Sequence, residues 1–274
     1  MANLFTGHKD EWKALADLDY FSAFVKAYIP FNAWMNVDYT TLDTDRKKIN
    51  AIKKDPNTFR NKICALLDSE SQEGSNFRNQ LGELHGLLEH NHIYNQDNRI
   101  TFTSVNIGKN TTNVEQDNYN CHHFFVKVVS ENEVISIVQS TITKKEKLKK
   151  TQSKYDINEL KSMDEFLNLS NTNQFKLIDC YQRVNPFVMK NFTPTFPREV
   201  ETKNPKKRSE LEKPYYDCGN YKFIKEPENL AKGLIEILYN LRCSLFHGEI
   251  VPNKDANQVY GAAYRILYAL IQSL

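Results

Sequence analysis

Long apolar segments are missing from this chain of 274 residues. No stretch approaches the roughly 20 apolar residues that a membrane-spanning helix requires. The opening residues, MANLFTGHKDEW, lack the basic-then-apolar pattern of a secretory signal peptide. These absences predict a soluble, cytoplasmic protein that makes no use of a membrane.

Paired cysteines are missing as well. The five cysteines are scattered and form no CxxC pair: Cys64, Cys121, Cys180, Cys218 and Cys243. Disulfide frameworks and zinc sites both use regularly spaced cysteines, so we expect free thiols in a reducing compartment. The chain also has no Gly-rich phosphate loop, no GxSxG motif and no paired catalytic carboxylates. Several common classes of enzyme are thereby excluded.

A strong excess of one charge is the third missing feature. Lysine and arginine number 36 against 34 acidic residues, which gives a formal net charge of +2. Any site for a polyanion such as RNA would therefore have to be local. Two basic runs are candidates for RNA contact, although most lysine runs are simply solvated: KKEKLKK, with Lys144, Lys145, Lys149 and Lys150, and PKKR, with Lys206, Lys207 and Arg208.

Core-forming residues are plentiful, and their spacing divides the chain into three zones. Hydrophobic residues make up 40% of the chain and aromatic residues 12%, which argues against disorder. Residues 1–95 have apolar positions three and four apart, as amphipathic helices do, and Pro30 is expected to break or kink the first helix. Residues 226–274 are also helical in pattern, with Pro227 at the start of a helix and Gly248 at its stop.

The middle zone, residues 96–225, has a different character. RITFTSVNI and HHFFVKVVSENEVISIVQS are rich in β-branched and aromatic residues, with ENE as a candidate hairpin turn. The charged stretch KKEKLKKTQSKYDINELKSMDEFLNL predicts one or two helices. Residues 185–214, dense in proline and lysine, predict a surface loop or partner-binding loop. We expect a mainly helical α+β protein, in which one helical domain (1–95 and 226–274) is interrupted by an α+β insertion (96–225).

Two polar residues stand out in the last zone, within LYNLRCSLFHG. On a helical wheel, Arg242 belongs to an apolar stripe that lies beside the main core stripe and also contains Ile235, Tyr239 and Phe246. An unpaired internal charge is costly, so Arg242 needs a partner, which predicts an interface with the insertion or with another subunit. His247 follows at the helix end, about 140° further round an ideal helix.

An R-x4-H motif at the end of an apolar helix, followed by a short loop and a closing helix, resembles the HEPN family. The matching residues are RCSLFH, Arg242 to His247, and the early AYIPFNAWM helix is similar to those of bacterial HEPN proteins with large insertions. The resemblance covers the first and third zones and implies a HEPN-like helical bundle. The sequence departs from the family at Cys243, where many members carry a polar residue, often Asn. Here Asn240 precedes the arginine instead.

The resemblance implies an activity as well as a fold. Active HEPN proteins are metal-independent RNA endonucleases that work as homodimers, which here implies a toxin or antiviral defence effector without metal or cofactor, restrained by an antitoxin or regulatory partner. His247 would act as general acid or base, and Arg242 would bind the phosphate and stabilise the transition state. The expected products carry a 2′,3′-cyclic phosphate and a 5′-OH. Secondary active-site candidates are Tyr239, Asn240 and Ser244.

Two other interpretations remain open. The chain could be a non-catalytic HEPN-like module that binds a protein or a nucleotide, with Arg242 as a structural salt-bridge donor and His247 as a helix cap. It could also be a metal enzyme that uses the histidines of GELHGLLEHNH. Their spacing prevents one helical face from presenting all three, so a solvated helix end is the simpler account of His85, His90 and His92. Adjacent Cys121, His122 and His123 lie on a predicted strand, whose neighbours point to opposite faces.

Overall fold

The computed structural model describes residues 9, 19–96, 98–130, 133–194 and 215–274. Helices hold about 52% of the described residues and strands about 22%, which confirms the mixed α+β class. The chain forms two compact units: unit 1 comprises Met1–Gly108 and Met189–Leu274, and unit 2 comprises Lys109–Val188. The predicted limits of a family insertion, residues 96 and 225, stay a prediction.

Helices dominate both ends of the described chain, and strands dominate its middle. The helices are α1 Asp19–Asp38, α2 Asp45–Lys54, α3 Thr58–Asp68, α4 Gln72–Asn91, α5 Ile157–Ser162, α6 Asp164–Leu167, α7 Asn171–Arg183, α8 Pro227–Phe246 and α9 Lys254–Ile271. The strands are β1 Tyr94–Asn95, β2 Asn98–Arg99, β3 Val105–Lys109, β4 Val114–Tyr119, β5 His122–Ser130, β6 Glu133–Ser140, β7 Glu146–Gln152, β8 Phe187–Lys190, β9 Tyr215–Cys218 and β10 Tyr221–Ile224.

Local capping accounts for several helix starts in unit 1. A side-chain oxygen accepts a backbone N–H of the first turn in α2, α3, α4 and α9, from Thr44, Asn57, Ser71 and Asn253 respectively. Such a bond satisfies a donor that the helix itself leaves free. The sequence therefore specifies these starts without help from the rest of the fold.

Helix α1 continues through Pro30 as one helix, so of the predicted break or kink the break is not present, and the kink stays a prediction. Proline removes one backbone donor from the helix. Buried residues lie on both sides of it, Phe24 and Tyr28 before and Phe31 and Met35 after, each 5% exposed or less. Packing of both halves against the same core holds the helix together across the proline.

Helix α8 lies at the centre of unit 1. Twelve of its residues are buried, and it contacts α1, α2, α3, α9 and β1. The second stripe was predicted to form an interface with the insertion or with another subunit. Ile235 and Tyr239 are 2% and 8% exposed within the core of unit 1, so these two positions do not form an interface with another subunit; an interface with the insertion stays a prediction. Phe246, at 56% exposure, is the part of the stripe that stays open.

The antiparallel hairpin β9–β10 approaches α4 closely at Gly82. A Cβ added there would lie 1.9 Å from the carbonyl oxygen of Cys218. Alanine normally favours a helix over glycine by about 1 kcal/mol, but overpacking costs about 1–3 kcal/mol. We therefore expect Gly82→Ala to lower the free energy of unfolding by about 1–2 kcal/mol in urea denaturation.

The matched control for that substitution is Gly108→Ala, because no atom lies within 4 Å of a Cβ placed at Gly108. Its free energy of unfolding should stay within about 0.5 kcal/mol of the parent protein. A Gly82→Ala protein as stable as the control would contradict the close approach of α4 and the hairpin.

Unit 2 is an antiparallel sheet of four strands in the order β4-β5-β6-β7, with α6 and α7 packed against it. Strands β5 and β6 form the predicted hairpin, although its turn residues 131–132 lie outside the described residues. Of the stretch KKEKLKKTQSKYDINELKSMDEFLNL, predicted to form one or two helices, the second half does so as α5 and α6. The prediction is wrong for its first part, because Glu146–Gln152 forms β7 and pairs with β6. Its Leu148 and Gln152 are buried against the helices, so the pairing outweighs the local helical preference of its lysines.

Three further predictions concern the cysteines, the loop 185–214 and the lack of a membrane-spanning helix. All five cysteines are free thiols, as predicted. Within the predicted loop 185–214, Phe187–Lys190 forms β8, and residues 195–214 lie outside the described part of the chain. No helix among the described residues is both long enough and apolar enough to cross a membrane.

Candidate functional site

Arg242 lies where α8 passes the first turn of α2. Its Nη2 atom is 3.3 Å from Oδ2 of Asp45, and its Cζ atom is 4.7 Å from the ring centroid of Phe246. The Arg242 side chain is 23% exposed. Asp45, from the same unit, is therefore the ion partner that the arginine needs, and part of the side chain remains accessible to solvent.

A buried carboxylate lies nearby on α8. Glu236 accepts hydrogen bonds from Nη1 of Arg46 at 2.7 and 2.9 Å and from Nζ of Lys53 at 2.7 Å. The side chains of Glu236 and Lys53 are 4% and 2% exposed, whereas Arg46 is 41% exposed. Burial lowers the pKa of Lys53, and the charge of Glu236 opposes that effect. One carboxylate thus pairs with two cations, so the cluster has one excess positive charge, and Arg46 is its exposed cation.

The sequence pattern did not predict this cluster of Glu236, Arg46 and Lys53. Arg46 and Lys53 belong to a segment, DTDRKKINAIKK, whose charges match an ordinary amphipathic helix. The signal that could have found the cluster is Glu236, a lone acid inside the apolar run GLIEILY. A charge on that face of a helix requires a buried partner.

The three secondary candidates differ in their accessibility. Tyr239 lies under the Arg46 guanidinium, whose Cζ is 4.3 Å from the ring centroid, and burial raises the pKa of its phenol to about 12. Asn240 accepts hydrogen bonds from Nη2 of Arg46 at 3.4 Å and from Nδ2 of Asn95 at 3.0 Å. Ser244 is fully buried and donates to a backbone carbonyl of β1 at 2.7 Å. Asn240 therefore borders the exposed arginine, whereas Tyr239 and Ser244 are enclosed.

Helix α1 contributes a buried hydroxyl near Arg242. Tyr28 is 5% exposed, and its hydroxyl has no hydrogen-bond partner among the described residues. Burial raises its pKa well above the ordinary value, and the positive charge of Arg242 acts in the opposite direction. The surroundings of Arg242 therefore comprise α1, α2 and α8.

His247 directly follows the last residue of α8 and caps it with its backbone. Its N–H donates to the carbonyl of Cys243 at 2.9 Å, and Gly248 then adopts a left-handed φ of +67°, so the helix ends where the sequence predicts. The imidazole is exposed, and within the described part of the chain no hydrogen bond or ion pair holds it. Arg242 and His247 thus lie near one end of α8 without bonding to each other.

Among the described residues, no metal site forms at the histidines of α4. His85 is 5% exposed and lies among the rings of Phe102, Tyr221 and Phe223, with centroids 5.9, 4.8 and 5.4 Å away. Burial lowers its pKa. The predicted solvated helix end is therefore wrong for His85, because aromatic side chains cover that face of α4. No group of three or more His, Cys, Asp or Glu residues in the described ranges could hold a metal ion.

The candidates for RNA contact in the KKEKLKK run lie in unit 2. Lys144 and Lys145 are exposed in the β6–β7 turn, and Lys149 is exposed on β7. Lys150 points to the helical side of the sheet, where its Nζ is 2.6 Å from Oε1 of Glu165. The PKKR run, with Lys206, Lys207 and Arg208, lies outside the described residues.

Comparison of the chain with protein-family models, with curated proteins and with solved structures finds no match.

Proposed function

We propose that this protein is a metal-independent endoribonuclease of the HEPN type, acting as a homodimer in toxin activity or antiviral defence under the restraint of a partner protein. The observation that carries the proposal is the exposed His247 imidazole, which no described residue engages, at the end of the helix that presents Arg242. Residues 1–95 and 226–274 would form the HEPN-like bundle, and residues 96–225 would be its insertion.

The chemistry needs an acid, a base and a phosphate clamp. One imidazole removes the proton of the ribose 2′-OH, whose oxygen attacks the adjacent phosphorus as the bond to the 5′-oxygen breaks. A second imidazole gives its proton to the leaving oxygen, so the products carry a 2′,3′-cyclic phosphate and a 5′-OH. Arg242 binds the phosphate, and Arg46 adds a second positive charge on the same side of unit 1.

A homodimer supplies the second imidazole. The spacing of Arg242 and His247 separates them on one helix, so two copies related by a two-fold axis would bring two histidines and two arginines to one cleft. Phe246 lies between the two motif residues and is 56% exposed. Its burial against the second copy would favour this arrangement.

Cleavage without metal is the direct test of the proposal. We expect the purified protein to cut total RNA or tRNA equally well with and without EDTA. The new 5′ ends should accept phosphate from a kinase without prior phosphatase treatment, and the 3′ ends should be cyclic phosphates. Loss of cleavage in EDTA, or new ends with a 5′-phosphate, would contradict the proposal.

The Arg242–Asp45 ion pair favours a second candidate, a non-catalytic module in which the arginine is structural. Asp45→Asn distinguishes the two candidate functions, because it removes the ion pair and keeps the Arg242 guanidinium. If Arg242 is structural, Asp45→Asn and Arg242→Ala should each lower the free energy of unfolding by about 0.2–1 kcal/mol. No form of the protein should then cleave RNA. A catalytic arginine predicts that Asp45→Asn retains cleavage and Arg242→Ala loses it.

A further inference from the structure

The sheet of unit 2 has one face covered by helices and one open face. On the covered side, Phe124, Val126 and Val138 are fully buried with residues of the helices. The side chains of alternate residues point the other way. Six of these define the open face: Asn118 on β4, His123, Phe125 and Lys127 on β5, Ile137 on β6 and Lys149 on β7.

The strand register places an aromatic residue at the middle of the open face. Phe125 pairs with Ile137, which pairs with Lys149 on β7. His123 and Lys127 flank Phe125 on the same strand and the same face. Nδ1 of His123 is 3.0 Å from Oδ1 of Asn118, a contact that orients the imidazole.

All six residues of the open face are accessible. Asn118 and Lys149 are exposed, and His123, Phe125, Lys127 and Ile137 are half-buried. By contrast, Phe124 and Val126, the neighbours of Phe125 on the covered side, are 0% exposed. The open face therefore presents an aromatic ring and an imidazole to solvent.

The charge of the open face is mostly positive. Lys127 forms no ion pair among the described residues, and Lys149 contacts only exposed Glu146, at 3.3 Å. The acids of β4, Glu115 and Asp117, point to the covered side, where Arg183 and Lys176 bind them at 3.0 and 2.6 Å. Exposed Lys144 and Lys145 add two positive charges in the β6–β7 turn. The negative charges of β6 and β7 are Glu133 and Glu146, the first residues of the two strands.

We propose that the open face of this sheet binds single-stranded RNA. Unpaired bases stack on aromatic side chains of a sheet, and lysines beside them attract the phosphates. Phe125 and His123 would receive two bases, Asn118 would bond to base edges, and Lys127 and Lys149 would lie near the backbone. Protein-binding surfaces are usually poor in lysine, which favours RNA over a protein partner here.

The inference extends the proposed function by giving the RNA substrate a first binding surface, but the binding does not depend on cleavage. It is tested with the full-length chain carrying His247→Ala, so that RNA stays intact. The ligand is a fluorescein-labelled RNA of twelve nucleotides in mixed sequence, and the measurement is fluorescence anisotropy at low salt. We expect binding of the single strand and at least about ten-fold weaker binding of the same RNA annealed to its complement, because paired bases cannot stack on Phe125.

Two substitutions on the open face should weaken binding. Phe125→Leu keeps an apolar contact with Ile137 and removes the π face, so we expect about ten-fold lower affinity. Lys127→Ala should lower affinity and reduce the salt dependence of binding by about one unit of slope. The matched controls lie on the helical side of unit 2: Phe175→Leu, at a site 75% exposed on α7, and Lys161→Ala on α5. Neither control should change the affinity.

The outcomes separate this inference from the proposed function. RNA affinity unchanged by both Phe125→Leu and Lys127→Ala, with thermal melting like that of the parent, would overturn the inference, even if the wild-type protein cleaves RNA. A Phe125→Leu protein that loses self-association but not RNA affinity would assign the face to protein contact instead. Binding that depends on Phe125 in a protein that never cleaves RNA would sustain the inference and contradict the proposed function.

Discussion

His247→Ala should slow RNA cleavage by about 10²–10⁴-fold, the usual contribution of a positioned acid or base. The effect should appear without loss of stability, because the exposed ring makes no hydrogen bond or ion pair with the described residues. The cap itself is retained, since the backbone N–H of residue 247 still donates to the carbonyl of Cys243. The measurement is the single-turnover rate of cleavage together with a urea denaturation curve.

The matched control is His90→Ala, which removes another exposed histidine from the end of a helix in unit 1. Its cleavage rate should equal that of the parent protein. Arg242→Ala should slow RNA cleavage by about 10²–10³-fold, comparable to His247→Ala, because the arginine stabilises charge in the transition state. Normal cleavage by both His247→Ala and Arg242→Ala would show that the active site does not lie at this end of α8.

Glu236→Ala should lower the free energy of unfolding by about 3–5 kcal/mol, the cost of removing one member of a buried ion pair. Lys53, 2% exposed, would keep only the carbonyl of Asn106, 3.3 Å from its Nζ. An ammonium without a counter-ion at such a site is strongly disfavoured. Arg46 would also lose the carboxylate that holds it over the Tyr239 ring.

The stability of Glu236→Ala should also rise with pH. The pKa of Lys53 is already lowered by burial, and losing the opposing charge of Glu236 lowers it further. Between that lowered value and the unfolded value of about 10.4, the unfolded chain binds more protons than the folded chain, so stability increases as pH rises. Urea denaturation between about pH 7 and 9.5 measures this slope, which should be steeper than in the parent protein.

Glu83→Ala is the control for the loss of a carboxylate in unit 1. Glu83 pairs with Arg265 at 2.5 Å, but its side chain is 48% exposed. Exposed pairs contribute about 0–1 kcal/mol, so this substitution should cost little and show no added pH dependence. If the free energy of unfolding falls no more in Glu236→Ala than in Glu83→Ala, the buried cluster is not a major source of stability.

Local features of the sequence were enough to predict several elements. Pro227 and Gly248 delimit the helix that carries Arg242, and the left-handed conformation of Gly248 explains why that helix ends there. Alternation over HHFFVKVVS predicted a strand, and it places His122 and His123 on opposite faces. These predictions depend on residues a few positions apart, whose interactions form without the rest of the fold.

Contacts between distant residues decided the remainder. Pairing with β6 makes Glu146–Gln152 a strand, and packing on both sides of Pro30 keeps α1 continuous. The sequence by itself determined that Arg242 needs a partner and that His247 ends a helix. Only the tertiary structure decided that Asp45 is that partner and that Glu236 joins Arg46, 190 residues away. A charge pattern shows which side chains require compensation, but the compensating group is chosen by which helices pack together.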